Sequence, residues 1–82
     1  MHRPLTPIGF QQIDGGRLTV PPKTSIIKIA ALSGDIRWRD DGGDAEELVG
    51  HILHPSDAFW YNGDALKLHF YGPVAITYYK VA

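Results

Sequence analysis

With 82 residues and no cysteine, the chain is long enough for one small domain and excludes disulfides and thiolate metal sites. A net charge of −1 gives it no overall basicity for nucleic acid, and no stretch approaches the roughly 18 apolar residues of a membrane span. A domain of this size buries only about 60–65% of the surface its unfolded chain exposes, so without disulfides it needs a tight core, a partner subunit, or both.

Charge is unevenly placed: residues 1–39 carry six basic and two acidic side chains, residues 40–82 two basic and seven acidic. In a small β domain distant segments lie side by side, so the two sets are expected to interleave. The N-terminus, Met1-His2-Arg3-Pro4-Leu5-Thr6-Pro7, lacks the apolar core of a signal peptide, which predicts a soluble protein made in a cytoplasm.

In chain order, residues 1–7 hold two prolines and no periodicity, and read as an extended arm. Strands are predicted at 8–13, 18–20, 25–32, 35–39, 48–53, 58–61, 66–70 and 74–81. Turn signals separate them at Asp14-Gly15-Gly16, Pro21-Pro22, Ser33-Gly34-Asp35, the acidic run from Asp40 to Asp44, His54-Pro55-Ser56, Asn62-Gly63-Asp64 and Gly72-Pro73. Asn62-Gly63 tolerates the positive φ angles of a type I′ turn and predicts a hairpin joining 59–61 to 66–68. Gly72-Pro73 is expected to turn the chain into the last strand. Short strands at this spacing predict an all-β fold: one antiparallel β-sandwich over 8–82, jelly-roll-like, with about eight strands.

Alternation assigns the core. Ile36 and Trp38 alternate with Arg37 and Arg39; Ile27, Ile29 and Ala31 oppose Ile26, Lys28 and Ala30; Leu66, Leu68 and Phe70 oppose Lys67, His69 and Tyr71. The last strand is apolar on both faces, with Val74, Ile76 and Tyr78 on one and Ala75, Thr77, Tyr79 and Val81 on the other. Such a strand is usually covered on both sides. In a thin domain the second cover is expected to be another chain.

Catalytic chemistry finds little support. Serine occurs only at 25, 33 and 56, each beside a turn or strand start, and no nucleophile elbow is present. Ser56, His54 and Asp57 compose a triad on paper, but near-adjacent residues rarely reach its geometry. His51 and His54 would point to opposite faces of a strand, which argues against a shared metal. Asp40, Asp41, Asp44, Glu46 and Glu47 do not follow the alternating pattern of a calcium loop. They are expected to be solvated, with Arg37 or Arg39 pairing to them. Trp60-Tyr61 and Tyr78-Tyr79 place aromatic rings on both faces of their strands. One of each pair belongs to the core and the other to a subunit contact or ligand surface; a sugar platform built on Trp60 and Asp57 is the alternative use. No basic residues interleave with these rings as single-stranded nucleic acid would require.

The run Ile36-Arg37-Trp38-Arg39-Asp40-Asp41-Gly42, then Val49-Gly50-His51-Ile52-Leu53, then Phe59-Trp60-Tyr61-Asn62-Gly63-Asp64 and the terminal Ile76-Thr77-Tyr78-Tyr79-Lys80, resembles small virion structural proteins of tailed bacteriophages and prophages. The resemblance spans roughly residues 17–82. In that family a Pro-Thr-Ala-like stretch often follows the glycine turn; here Asp44-Ala45-Glu46-Glu47 stands instead. The resemblance implies a non-enzymatic virion component, assembled in the bacterial host cytoplasm, with no catalytic residue, cofactor or metal. A capsid decoration or cement protein is the leading form, and a neck or tail component is the alternative; a carbohydrate-binding module is the reading from another class. The implied partners are the major capsid protein or other virion proteins and further copies of the chain, with no nucleic acid and no membrane. The contact residues expected are Pro4, Ile8, Phe10, Arg37, Arg39, Trp60, Tyr71 and Tyr79.

Overall fold

The structure is a computed structural model and describes residues 4–81. It is all-β: strands β1 (Leu5–Arg17), β2 (Ile26–Ala31), β3 (Ile36–Arg39), β4 (His51–Leu53), β5 (Ala58–Tyr61) and β6 (His69–Val81), with one 3-10 turn over Ala65–Lys67. All six strands join one antiparallel sheet that curls into a half-barrel. The eight strands and two-layered sandwich expected from the sequence are not formed among the described residues.

The sheet is organised by β6. One edge of β6 is taken along its whole length by β1, from Leu5 opposite Val81 to Arg17 opposite His69. Its other edge is shared. Arg37, Trp38 and Arg39 of β3 pair with Tyr71, Phe70 and His69, and β2 pairs from Ala31 opposite Val74 to Ile26 opposite Tyr79. The handover falls at Gly72-Pro73. Proline has no N–H to give to a ladder, and the Pro73 carbonyl is used by the Leu32 N–H at 3.1 Å, just where β2 ends. The expected turn is therefore a change of neighbour within one continuous strand. Thirteen residues of paired strand span about 43 Å, which accounts for the 40 Å long dimension of the molecule.

The core lies on the inner face of the curl. Ile27 and Ile29 from β2, Ile36 from β3, and Phe70, Val74, Ile76 and Tyr78 from β6 are fully buried there, in the alternation expected. Fully burying side chains of this size contributes about 1.5–3 kcal/mol each. Trp38 is half-buried and stacks on Phe59, with ring centroids 4.8 Å apart. Because β3 and β2 leave the same edge of β6 on either side of Gly72-Pro73, and β5 pairs with β2, that contact draws the two branches of the sheet together. Tyr78 is the one core residue with a polar end, and its hydroxyl donates to Gln11 Oε1 at 2.7 Å. Burial raises its pKa.

Three predicted elements differ. Residues 18–20 are not a strand. The chain must pass from β1, on one edge of β6, to β2 on the other, and it does so across the inner face, where Leu18 is buried and Val20 packs on the core. This crossing segment takes the place of a second layer. The Asn62-Gly63 hairpin is also absent, because β5 pairs with β2 and not with the segment that follows it. Asp64 instead caps the 3-10 turn by accepting from the Leu66 N–H at 3.1 Å, which turns Leu66 out to 69% exposure while Leu68 stays buried. Finally, the arm expected over 1–7 enters the sheet at Leu5; residues 1–3 lie outside the described residues.

Gly72 has φ +108°, and a Cβ there would lie 2.8 Å from Ile36 Cγ2. Gly72→Ala combines backbone strain with overpacking and is expected to cost about 2–4 kcal/mol in urea unfolding. Gly34→Ala, at φ +65° with open space around it, carries only the left-handed penalty of about 1–2 kcal/mol. Equal losses at the two positions would contradict the crowding at the strand handover.

Candidate interaction surface

The face of the sheet opposite the core carries most of the aromatic surface. Register sets its rows. Phe10 lies opposite Thr77, Thr77 opposite Lys28, and Lys28 opposite Trp60, so these four side chains cross β1, β6, β2 and β5 in one line. Three strand spacings separate Phe10 from Trp60, about 14 Å. Phe10 is 63% exposed and Trp60 49% exposed. Tyr79, two residues further along β6 on the same face, meets Trp60 with ring centroids 5.1 Å apart and planes tilted by 51°. The Lys28 ammonium stands 5.8 Å from the Trp60 ring centre, within reach of a cation–π contact. The next row, Gln12, Ala75, Ala30 and Ala58, is small and flat.

A second outer row lies beyond Gly72-Pro73, where Ile52, Arg37 and Tyr71 are paired across β4, β3 and β6. Ile52 and Tyr71 are each 47% exposed. Arg37 is half-buried between them, and its guanidinium donates to the Gly50 carbonyl at 3.1 Å.

The predicted contact residues therefore separate into groups. Trp60 and Tyr79 meet, Phe10 stands at the far end of the row that holds Trp60, and Tyr71 and Arg37 form the second row. Pro4 is exposed just before β1. Ile8 is half-buried against the core at the bulge between Pro7 and Gly9, and belongs to packing. Arg39 is held within its own loop: Nε and Nη2 donate to Asp41 at 3.1 and 2.6 Å, and Nη1 to the Asp44 carbonyl at 3.2 Å. Lys28 and Ile52 are the surface residues that sequence reasoning missed. Alternation placed Lys28 outward, but its position beside Trp60 depends on the pairing of β2 with β5.

The acidic run is organised by arginines, as expected for Arg39. Asp41 accepts from Arg39 and from the Gly43 N–H, and these bonds lower its pKa to about 2. Arg17, from the end of β1, donates to the Gly42 carbonyl at 2.7 Å and to Asp44 at 3.2 Å. The Ala45 N–H donates to His69 Nδ1 at 2.9 Å, which buries Ala45 against the outer side of β6. The loop is thereby pinned across one end of the sheet. Its basic partners come from the first half of the chain and its acidic ones from the second, so the two charge sets do interleave here.

Two open clefts are present, of ≈ 430 Å³ between Asp14–Gly16 and 69–72, and of ≈ 250 Å³ beside Arg39–Asp41 and 49–51. Neither is lined by a serine or lysine, and the His54 of the paper triad bonds Asp35 through Nδ1 at 2.8 Å rather than Asp57. Among the described residues no three His, Asp or Glu side chains stand together as a metal site, and no helix is long and apolar enough to cross a membrane. Compared with protein families, with characterised proteins and with solved structures, the chain matches none.

Two titrations check this geometry. Asp41 should titrate near pH 2 by carboxyl NMR and rise in Arg39→Gln toward the ordinary carboxylate range, still held below it by the Gly43 N–H. A depressed folded pKa contributes stability above the unfolded value, and that share is lost as pH falls toward 2. His54 is raised by its bond to Asp35 and by that residue's charge. The sign reverses: its share is full below the unfolded histidine value and fades as pH rises through the folded one. Asp35→Asn should lower the His54 pKa in an imidazole NMR titration, and an unchanged value would contradict the pair.

Proposed function

We propose that this chain is a non-enzymatic structural subunit of a phage virion, most simply a capsid decoration protein that binds the particle surface and its own copies. One observation carries the reading: an outer sheet face on which Phe10, Trp60 and Tyr71 stand about half or more exposed in a domain of only 82 residues. Exposed rings arranged in rows on a rigid sheet suit a fixed partner surface, since aromatic anchors dominate interface energetics. The resemblance in the order of the Ile36–Gly42 run, the aromatic segment and the final Tyr-Tyr strand points the same way. A particle offers many copies of one surface, so modest affinity per copy suffices. Placement in a neck or tail uses the same face and the same logic.

A second reading, a carbohydrate-binding module, draws on the half-exposed ring of Trp60. Sugar stacking needs an open ring face, and Lys28 and Tyr79 already occupy the surroundings of this one.

Cosedimentation with purified virions of the phage that encodes the chain separates the readings. Binding should fall about tenfold or more in Trp60→Ala and in Tyr71→Ala, with the fold intact by circular dichroism. Loss of glycan binding in Trp60→Ala, in a protein that never sediments with virions, would select the carbohydrate reading.

A further inference from the structure

Strand β1 is thirteen residues long and has one neighbour, β6. Among the described residues, the backbone of β1 makes no hydrogen bond outside its ladder with β6, so its far edge is an open row of donors and acceptors. The other two outer strands, β4 and β5, are only three and four residues long. Proteins usually blunt a long open edge with lysines, prolines or bulges. Here Pro7 and two bulges, between Pro7 and Gly9 and between Asp14 and Gly16, restrict the regular part to residues 9–14. Within it Gly9-Phe10-Gln11-Gln12-Ile13 carries no charge and no proline.

We propose that two copies of this chain pair antiparallel through this edge about a two-fold axis, with Gln11 facing Gln11 of the second copy. An antiparallel edge is complementary to itself under a two-fold rotation, and the uncharged stretch brings no like charges together. The axis runs normal to the sheet, so outer-face residues meet outer-face residues and only same-parity positions pair. Centring on Phe10 leaves three regular residues before the bulge. Centring on Gln12 sets the Asp14 carboxylate against Phe10. Centring on Gln11 pairs residues 9–13 and places Phe10 beside Gln12 of the second copy on the outer face. The two sheets then form one, and the Phe10–Trp60 row of each copy continues across the axis into the Gln12–Ala58 row of the other. This deepens the self-association in the proposed function, and either can fail alone.

Sedimentation equilibrium tests it. The chain should be a dimer, and Phe10→Lys/Gln12→Lys, which sets two like-charge pairs across the axis at exposed positions, should raise the dissociation constant at least tenfold. Because the chain has no cysteine, Gln11→Cys introduces a single thiol and should give a disulfide-linked dimer on mild oxidation, whereas Trp60→Cys on β5 should not. A chain that sediments as a monomer, a trimer, or a dimer that the double substitution leaves intact overturns the proposal. A chain that dimerises in this way but binds no virions supports the edge pairing and counts against the virion reading.

Discussion

The structure depends on one strand serving three neighbours. β6 pairs with β1 along one edge and with β3 and then β2 along the other, and the exchange is made at Gly72-Pro73. Proline removes one ladder donor, and glycine adopts a positive φ beside Ile36 where a Cβ has no room. Because β3 and β2 follow each other on the same edge, the sheet can curl, and Trp38 from one side meets Phe59 from the other. The core that results is small, and the segment after β1 crosses it to fill the inner face.

The same arrangement explains why so much aromatic surface faces outward. A single curled sheet has one inner face, and that face is filled by the inward residues of β2, β3 and β6 together with Leu18. Among the described residues the other face is covered only at one end, by the loop around Ala45. Alternation in β6 then places Tyr71, Thr77 and Tyr79 outside, and pairing brings Phe10 and Trp60 into line with them. A core on one side and aromatic rows on the other are the physical basis for the proposal that the domain is a building block.

Charges serve local order. Arg39 and Arg17 hold the loop from Asp40 to Asp44 against the end of the sheet. Both are solvent-screened pairs that add little to stability, and their value is in fixing the loop's path. The motif containing Arg37, Trp38 and Arg39 thus divides three ways. Trp38 packs inward, Arg37 ties β3 to the Gly50 carbonyl, and Arg39 closes the acidic turn.

The sequence by itself determined the all-β class, the inward residues of β2, β3 and β6, and the pairing of the acidic run with Arg37 or Arg39, because each follows from alternation or from contacts within a few residues; the structure selects Arg39. It also marked Trp60 and Tyr79 as surface candidates, since a strand with rings on both faces can bury only one set. Only the tertiary structure decided the strand order, the merging of 69–81 into one strand, and the row that joins Phe10 to Trp60. Asn62-Gly63 illustrates the reason. Its local preference for a hairpin is about as strong as a dipeptide can carry, yet β5 gains more by pairing with β2, and Asp64 offers the chain a capped turn in place of a ladder. Pairing between segments thirty or more residues apart is selected by the total core they bury, and no local pattern records that sum.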